Sequence, residues 1–212
     1  MQAQHEKLSS LVDLRRSALL VVDVQRYFTR ERLTPMYPPV DGVLDQLRRF
    51  ADECRARGVL VVRIQNVIGD ESARGVWRRH FGERWAMPSP LAPDQPGVQF
   101  HPGFEPQPGD LVLTKPRYSA FYGTPLASIL RSRDIQTVIV GGLTTDVCVS
   151  GTARDAFQHE LDVVTLDDCT AEVTQARHES GLETLAANFG LVCSSADVLA
   201  AWSAQSVPAI AS

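Results

Sequence analysis

Six short apolar runs punctuate the chain: SALLVVDV (17–24), VLVVRI (59–64), DLVLTK (110–115), TVIVGGL (137–143), LDVVTL (161–166) and a weaker LVCS (191–194). They are rich in valine and leucine, and continuous rather than alternating, which suits strands covered on both faces in a parallel sheet. Between them apolar residues recur at helical spacing. Val43, Leu44, Leu47, Phe50, Ala51 and Cys54 form one stripe, Val149, Ala153, Ala156 and Phe157 a second, and Leu182, Leu185, Ala186 and Phe189 a third. Strand alternating with helix means βαβ units with right-handed crossovers. The expected fold is α/β, a three-layer sandwich around a doubly wound, mostly parallel six-stranded sheet of order 3-2-1-4-5-6.

With 212 residues, 44% of them hydrophobic and 22% charged, the chain is long enough to bury a sizeable core and is read as one domain over 1–212. Residues 1–16 form an N-terminal extension to it. Residues 86–108 hold seven of the thirteen prolines, which closes them to helix and interior strand. Structureless loops beyond about 12 to 15 residues are uncommon inside compact domains and often act as lids or binding loops. This proline-rich loop is therefore expected either to cover a substrate or to meet another subunit.

The net charge of −4, with basic residues scattered, leaves no footprint for nucleic acid or for an anionic membrane. The first residues, MQAQHEKLSS, lack the layout of a secretory signal, and no apolar run is long enough to span a bilayer. A soluble, cytoplasmic protein with a small-molecule partner is expected. The four cysteines, Cys54, Cys148, Cys169 and Cys193, stand far apart without a CxxC pair, which argues against zinc and against a disulfide framework. Cys54, Cys169 and Cys193 lie in apolar periodic stretches and read as small buried hydrophobes.

Cys148 differs. In open α/β sheets ligands bind outside the carboxyl ends of the strands, where strand order reverses. Asp23 closes the first run, Lys115 the third, and Cys148 follows the fourth, so the order 3-2-1-4-5-6 brings Asp23 and Cys148 to opposite sides of one crevice. Thr144 or Thr145 is a natural N-cap and Asp146 suits a first turn, which sets the thiol near a helix start, where thiolate is favoured and backbone N–H groups are unpaired. A thiol nucleophile needs a base, and amide cleavage needs an acid for the departing nitrogen. An aspartate can serve as both, with a lysine beside it to keep it ionised. Each residue also has a bland reading: a turn cap for Asp23, a solvated strand end for Lys115, packing for Cys148. Their joint placement favours chemistry.

The blocks ALLVVDVQRYF, LTKPRYSAFYGTPL and GGLTTDVCVSGTARDAF, in that order, resemble the isochorismatase-like cysteine hydrolase superfamily over roughly residues 18 to 193. The resemblance implies a catalytic trio of Asp23, Lys115 and Cys148. It also implies a cis peptide between Leu143 and Thr144, with the backbone N–H groups of Thr144 and Cys148 as the oxyanion hole. Members that keep the cysteine hydrolyse C–N bonds, whereas isochorismatases proper lack it and cleave a vinyl ether with the aspartate as acid. The KPRYSAF block is similar to both branches. Gln65 and Asn66 stand where the nicotinamidase branch carries its Asp-x-His metal ligands, and neutral amides are poor ligands. No metal, no cofactor and no nicotinamidase activity are therefore expected. His80 and His101 read as surface or core residues.

The expected activity is a metal-independent amidohydrolase acting on a small amide or ureido compound. Vinyl-ether hydrolysis by Asp23 and a catalytically silent scaffold are the alternatives. Gln25, Phe28, Arg117, Tyr118, Phe121 and Tyr122 follow Asp23 and Lys115 closely enough to line the substrate mouth. Arg117 suits either a substrate carboxylate or a structural salt bridge, and Gln25 either a ureido oxygen or the loop after Asp23. The resemblance implies a homo-oligomer, dimer or tetramer, with the proline-rich loop and Trp202 as candidate contacts.

Overall fold

The computed structural model describes residues 2–31, 35–69, 76–82 and 89–205. Its strands are β1 (Ser17–Val22), β2 (Leu60–Asn66), β3 (Leu111–Lys115), β4 (Thr137–Leu143), β5 (Asp162–Ala171) and β6 (Leu191–Cys193). They form one sheet of order β3-β2-β1-β4-β5-β6. Every pairing is parallel. The helices are α1 (Gln2–Leu11), α2 (Val40–Ala56), α3 (Val76–Phe81), α4 (Leu126–Ser132), α5 (Ser150–Gln158), α6 (Gln175–Asn188) and α7 (Ser195–Ala204).

Side chains alternate across a strand, and the two central strands are buried on both faces. Leu19 and Val21 pack with α1, α2 and α7. Ala18, Leu20 and Val22 pack with α4, α5 and α6. The six residues of the first helical stripe are the buried residues of α2. Each fully buried leucine or phenylalanine of that stripe contributes about 1.5–3 kcal/mol.

Several expectations need correction. Phe157 is 48% exposed. It lies in the last turn of α5, beyond the Ala153 and Ala156 row, and meets Phe189 edge-on at 5.7 Å instead of the sheet. Ala186 is exposed too, while His178, Gly181 and Leu185 form the buried row of α6. β5 runs five residues past its apolar stretch, through a register shift against β4 between Val140 and Gly142. There Asp168 accepts hydrogen bonds from the Ser195 N–H at 2.9 Å and hydroxyl at 2.6 Å, so a polar stretch still sits in the sheet.

Residues 2–11 are integral to the fold: Leu8 and Val12 join the core with Trp202, and the Thr137 hydroxyl donates to Leu11 O at 2.6 Å. Trp202 stacks on Phe50 at 5.7 Å, which makes it a core residue instead of a subunit contact. Residues 86–88 of the proline-rich stretch lie outside the described residues. Residues 89–108 pack with Leu91 and Phe104 buried, and Gln25 forms an antiparallel bridge with Phe100. The loop thus lies over the carboxyl ends of β1 and β2. Among the described residues no helix is long and apolar enough to cross a membrane.

Candidate active site

Two backbone features bring Asp23 and Cys148 to the same place. Gly142 has φ +122°, and a Cβ there would stand 2.1 Å from the carbonyl oxygen of Val22. Only glycine lets the end of β4 press so closely on the end of β1. The next peptide, Leu143–Thr144, is cis. On the other strand Asp23 follows Val22 with φ 53°, a left-handed conformation costing of order 1–3 kcal/mol for a non-glycine residue. Its N–H continues the β1–β2 ladder to Ile64 O at 3.0 Å, and the chain then leaves the sheet.

Cys148 lies in a π-helical turn, Thr145–Val149, that leads into α5. Such wide turns are rare and concentrate at functional sites. Val147 and Val149 both donate to Thr144 O, at 3.2 and 3.1 Å. Lys115 ends β3, two strands away from β1, and its long side chain spans the end of β2. Its Nζ stands 2.7 Å from Asp23 Oδ2, with neither side chain exposed, and donates to Arg117 O at 2.9 Å. The Cys148 thiol lies within the electrostatic influence of both Asp23 and Lys115, while neither Asp23 oxygen has a hydrogen-bond partner among the described residues.

Burial is the largest single influence on each of the three groups and sets the net direction for Asp23 and Cys148. It pushes the Asp23 carboxyl above the ordinary aspartate value, against the pull of Lys115. Burial also works against the Lys115 ammonium, but Asp23 and Cys148 outweigh it and hold the lysine above its usual value. The Cys148 thiol is pushed up by burial and by Asp23, against Lys115. Burial thus works against the thiolate that a helix start would favour. The arrangement is a buried thiol, a carboxyl of raised basicity and an ammonium paired with it.

The other expected residues divide. Tyr118 is 38% exposed, and its phenol, raised by burial, also senses the charges of Cys148 and Lys115, which sets it at the mouth. Phe28 is buried beneath the rim in a cluster with Trp77, Leu91 and Leu143. Gln25 belongs to the scaffold instead of the mouth. Its Nε2 donates to Asn66 O at 3.0 Å and Val98 O at 2.8 Å, and its Oε1 accepts from the Asn66 N–H at 2.8 Å. Phe121 is a core residue, tilted against His159 at 5.1 Å beyond the far end of α5. Tyr122 is 63% exposed. The bends after Lys115, one of them closed by the Phe121 N–H on the Ser119 hydroxyl, send neighbouring aromatic rings in different directions.

Arg117 lies over the Trp77 ring with its Cζ 5.5 Å from the centroid and donates from Nη1 to Pro116 O at 2.8 Å. Among the described residues it has no acidic partner. Trp77, on α3, lies tilted against Tyr118 with ring centroids 5.2 Å apart. It escaped sequence reasoning because its six-residue helix shows no apolar stripe. Asn66, noted only as a poor metal ligand, is buried beside the site, and its Oδ1 has no hydrogen-bond partner among the described residues. Among the described residues no group of three or more histidine, cysteine or acidic side chains could hold a metal ion. Gln65 donates to Val98 O at 3.0 Å, and His101 Nδ1 pairs with the Thr29 hydroxyl at 2.8 Å.

Comparison with known proteins places this geometry in context. Residues 17–197 match the isochorismatase domain model. The ureidoacrylate amidohydrolase RutB of Enterobacter sp. (strain 638) is 33% identical over 216 residues, covering 92% of this chain and 93% of that protein. A cysteine hydrolase from Pseudomonas syringae pv. phaseolicola 1448A superposes with a TM-score of 0.78 at 27% identity, covering 90% of this chain and 95% of the other. The N-carbamoylsarcosine amidase from Thermoplasma acidophilum gives a TM-score of 0.72 at 28% identity, over 85% of this chain and 96% of its own.

Proposed function

The chain belongs to the isochorismatase family, and from that premise we propose that it is a cysteine amidohydrolase that cleaves the C–N bond of a small ureido or amide compound through a thioester on Cys148. The observation that carries the reading is a buried thiol, carboxyl and ammonium at the strand ends of one sheet, with Lys115 2.7 Å from Asp23 and the Cys148 thiol under the electrostatic influence of both.

The steps balance on these three groups. Sγ of Cys148 attacks the substrate carbonyl carbon while its proton passes to the Asp23 carboxylate. The backbone N–H groups of Thr144 and Cys148 receive the developing oxyanion, each donor lowering the barrier by roughly 3 to 4 kcal/mol in a preorganised site. Lys115 adds a fixed positive charge. As the tetrahedral intermediate collapses, Asp23 returns the proton to nitrogen, and ammonia or an amine leaves. Water then attacks the thioester, giving one proton to Asp23, which hands it back to sulfur as the acid departs.

The relative named as a ureidoacrylate amidohydrolase supports a ureido acid as substrate. Arg117, whose Cζ lies 5.5 Å from the Trp77 ring centroid and which has no acidic partner among the described residues, would receive the carboxylate of such a substrate in bidentate fashion. Tyr118 would flank the ureido plane. The test is ammonia release across ureido acids, biuret, maleamate and simple monocarboxylic amides, with isochorismate as the comparison. Turnover of a ureido acid, abolished by Cys148→Ala and by iodoacetamide, is expected. Turnover that survives both would overturn the thioester route.

A further inference from the structure

The turn that carries Cys148 is gripped from outside the trio, by the junction between β5 and α6. Glu172 is fully buried there. Its backbone is fixed on both sides: the Tyr37 N–H donates to Glu172 O at 2.7 Å, and the Glu172 N–H donates to Tyr37 O at 2.8 Å. The carboxylate is thereby held against two backbone amides. Oε2 accepts from the Asp146 N–H at 3.2 Å, inside the nucleophile turn. Oε1 accepts from the Val173 N–H at 2.8 Å, with Arg177 Nη1 at 3.6 Å.

Neighbouring contacts converge on the same two residues of the turn. Arg177 Nε meets Asp146 Oδ2 at 3.2 Å, and Thr145 Oγ1 pairs with His178 Nδ1 at 2.9 Å. Gly181 lets α6 approach until a Cβ there would stand 3.3 Å from Asp146 Cα. All of these grip Thr145 and Asp146, two or three residues before the nucleophile.

We infer that Glu172 is a positioning residue for Cys148, an inference that rests on the thioester reading of the site. By tying the Asp146 N–H to a fixed carboxylate, it holds the wide turn in the register that puts sulfur beside Asp23. Hydrogen bonds to an ionised acceptor are about twice as strong as neutral ones, and a displacement of about 1 Å at a reacting atom costs roughly 100-fold in rate. Glutamine has nearly the same shape but turns one of the two acceptors into an NH2 donor. That donor must then face the N–H of either Asp146 or Val173, so one grip is lost while the volume is kept.

The test compares wild type, Glu172→Gln and Arg177→Ala in three measurements: kcat and KM on a hydrolysed ureido acid, iodoacetamide alkylation at the Cys148 peptide by mass spectrometry, and thermal unfolding. For Glu172→Gln that is folded, kcat is expected to fall about 100-fold with KM nearly unchanged, and alkylation to slow by about tenfold or more as sulfur leaves its base. Arg177→Ala, at a half-exposed position, is expected to fold normally and to show the same split at a few-fold level, which keeps the claim testable if Glu172→Gln does not fold. Wild-type kcat and alkylation rate in either folded variant overturn the proposal, as does a loss of activity that only tracks the unfolded fraction. If the wild type releases no ammonia from any amide, the thioester reading fails by itself, and the alkylation rates still decide whether Glu172 positions the thiol.

Discussion

Lys115 Nζ and Asp23 Oδ2 are 2.7 Å apart with both side chains fully buried, so each is the other's counter-charge. The pair is the electrostatic floor of the candidate site. Deleting one partner from such a pair costs about 3–5 kcal/mol because the survivor is left buried and uncompensated.

Lys115→Met and Asp23→Asn are therefore each expected to lose activity and to destabilise the protein by about 3–5 kcal/mol. The double variant is expected to regain much of that stability while staying inactive. Denaturant unfolding of the four proteins of the cycle checks this. Additive losses would mean that the pair does not act as a unit.

The pH profile has a definite sign. Asp23 must be ionised to accept the thiol proton, so kcat/KM should rise with pH through an acid limb. Burial raises the Asp23 carboxyl, which puts that limb above the ordinary aspartate value of 3.8. Lys115, raised by Asp23 and Cys148 against its burial, stays charged past the ordinary lysine value of 10.5, so its loss should not set a limb below that. Because the groups are coupled, the limbs are macroscopic values of the set. An acid limb at or below the ordinary aspartate value would contradict this assignment.

Gly142→Ala tests the backbone that brings β1 and β4 together. Its Cβ would meet the Val22 carbonyl at 2.1 Å, whereas Gly109, also at positive φ, has nothing within 4 Å of its Cβ position. Gly109→Ala should cost only conformational strain, of order 1 kcal/mol. Gly142→Ala should cost about 3 kcal/mol or more, together with activity. Equal melting temperatures for the two variants would refute the close-approach argument.

The sheet order and the faces of its central strands were legible because burial on both sides demands continuous apolar runs, and α2 because its stripe is regular. The three trio positions were legible for a related reason: strand ends at a switch point are marked by where each apolar run stops. What the sequence hid was governed by contacts with distant segments. Gln25 looks like a mouth residue until Asn66 and Val98 are seen on its amide. Glu172 follows a polar stretch with no period, and Trp77 sits on a helix of barely two turns. The desolvation that raises the Cys148 thiol was hidden for the same reason, since a helix start is visible in sequence and burial by distant segments is not.

Asp110, at the end of the proline-rich loop, ties that loop to the scaffold. Its carboxylate accepts from Arg55 Nε and Nη2, both at 2.8 Å, and from Arg63 Nε at 3.1 Å. Burial opposes its ionisation, but the hydrogen bonds from Arg55, the Gln107 N–H and Arg63 outweigh it and hold the carboxyl below the usual aspartate value. A depressed folded value means stability that is present above the unfolded pKa and lost as pH falls through the folded one. Asp110→Asn should remove the part of acid sensitivity that lies below 3.8 and lower neutral-pH stability, read from unfolding at several pH values. An unchanged stability curve would contradict it.

Arg117→Met should raise KM for a ureido acid by about 10- to 100-fold, the weight of a lost charge-assisted hydrogen-bond pair. Uncharged biuret should be affected little. Equal losses on charged and neutral substrates would assign Arg117 to structure instead of recognition.

The central claim is that the acyl group passes through Cys148. Mass spectrometry of the Cys148 peptide from reactions quenched in acid during turnover tests it most directly. A transient mass gain equal to the substrate's acyl group, present on Cys148 and missing from Cys148→Ala, is the predicted result. Steady ammonia release with Cys148 unmodified throughout, and with the alanine variant still turning over, would contradict it.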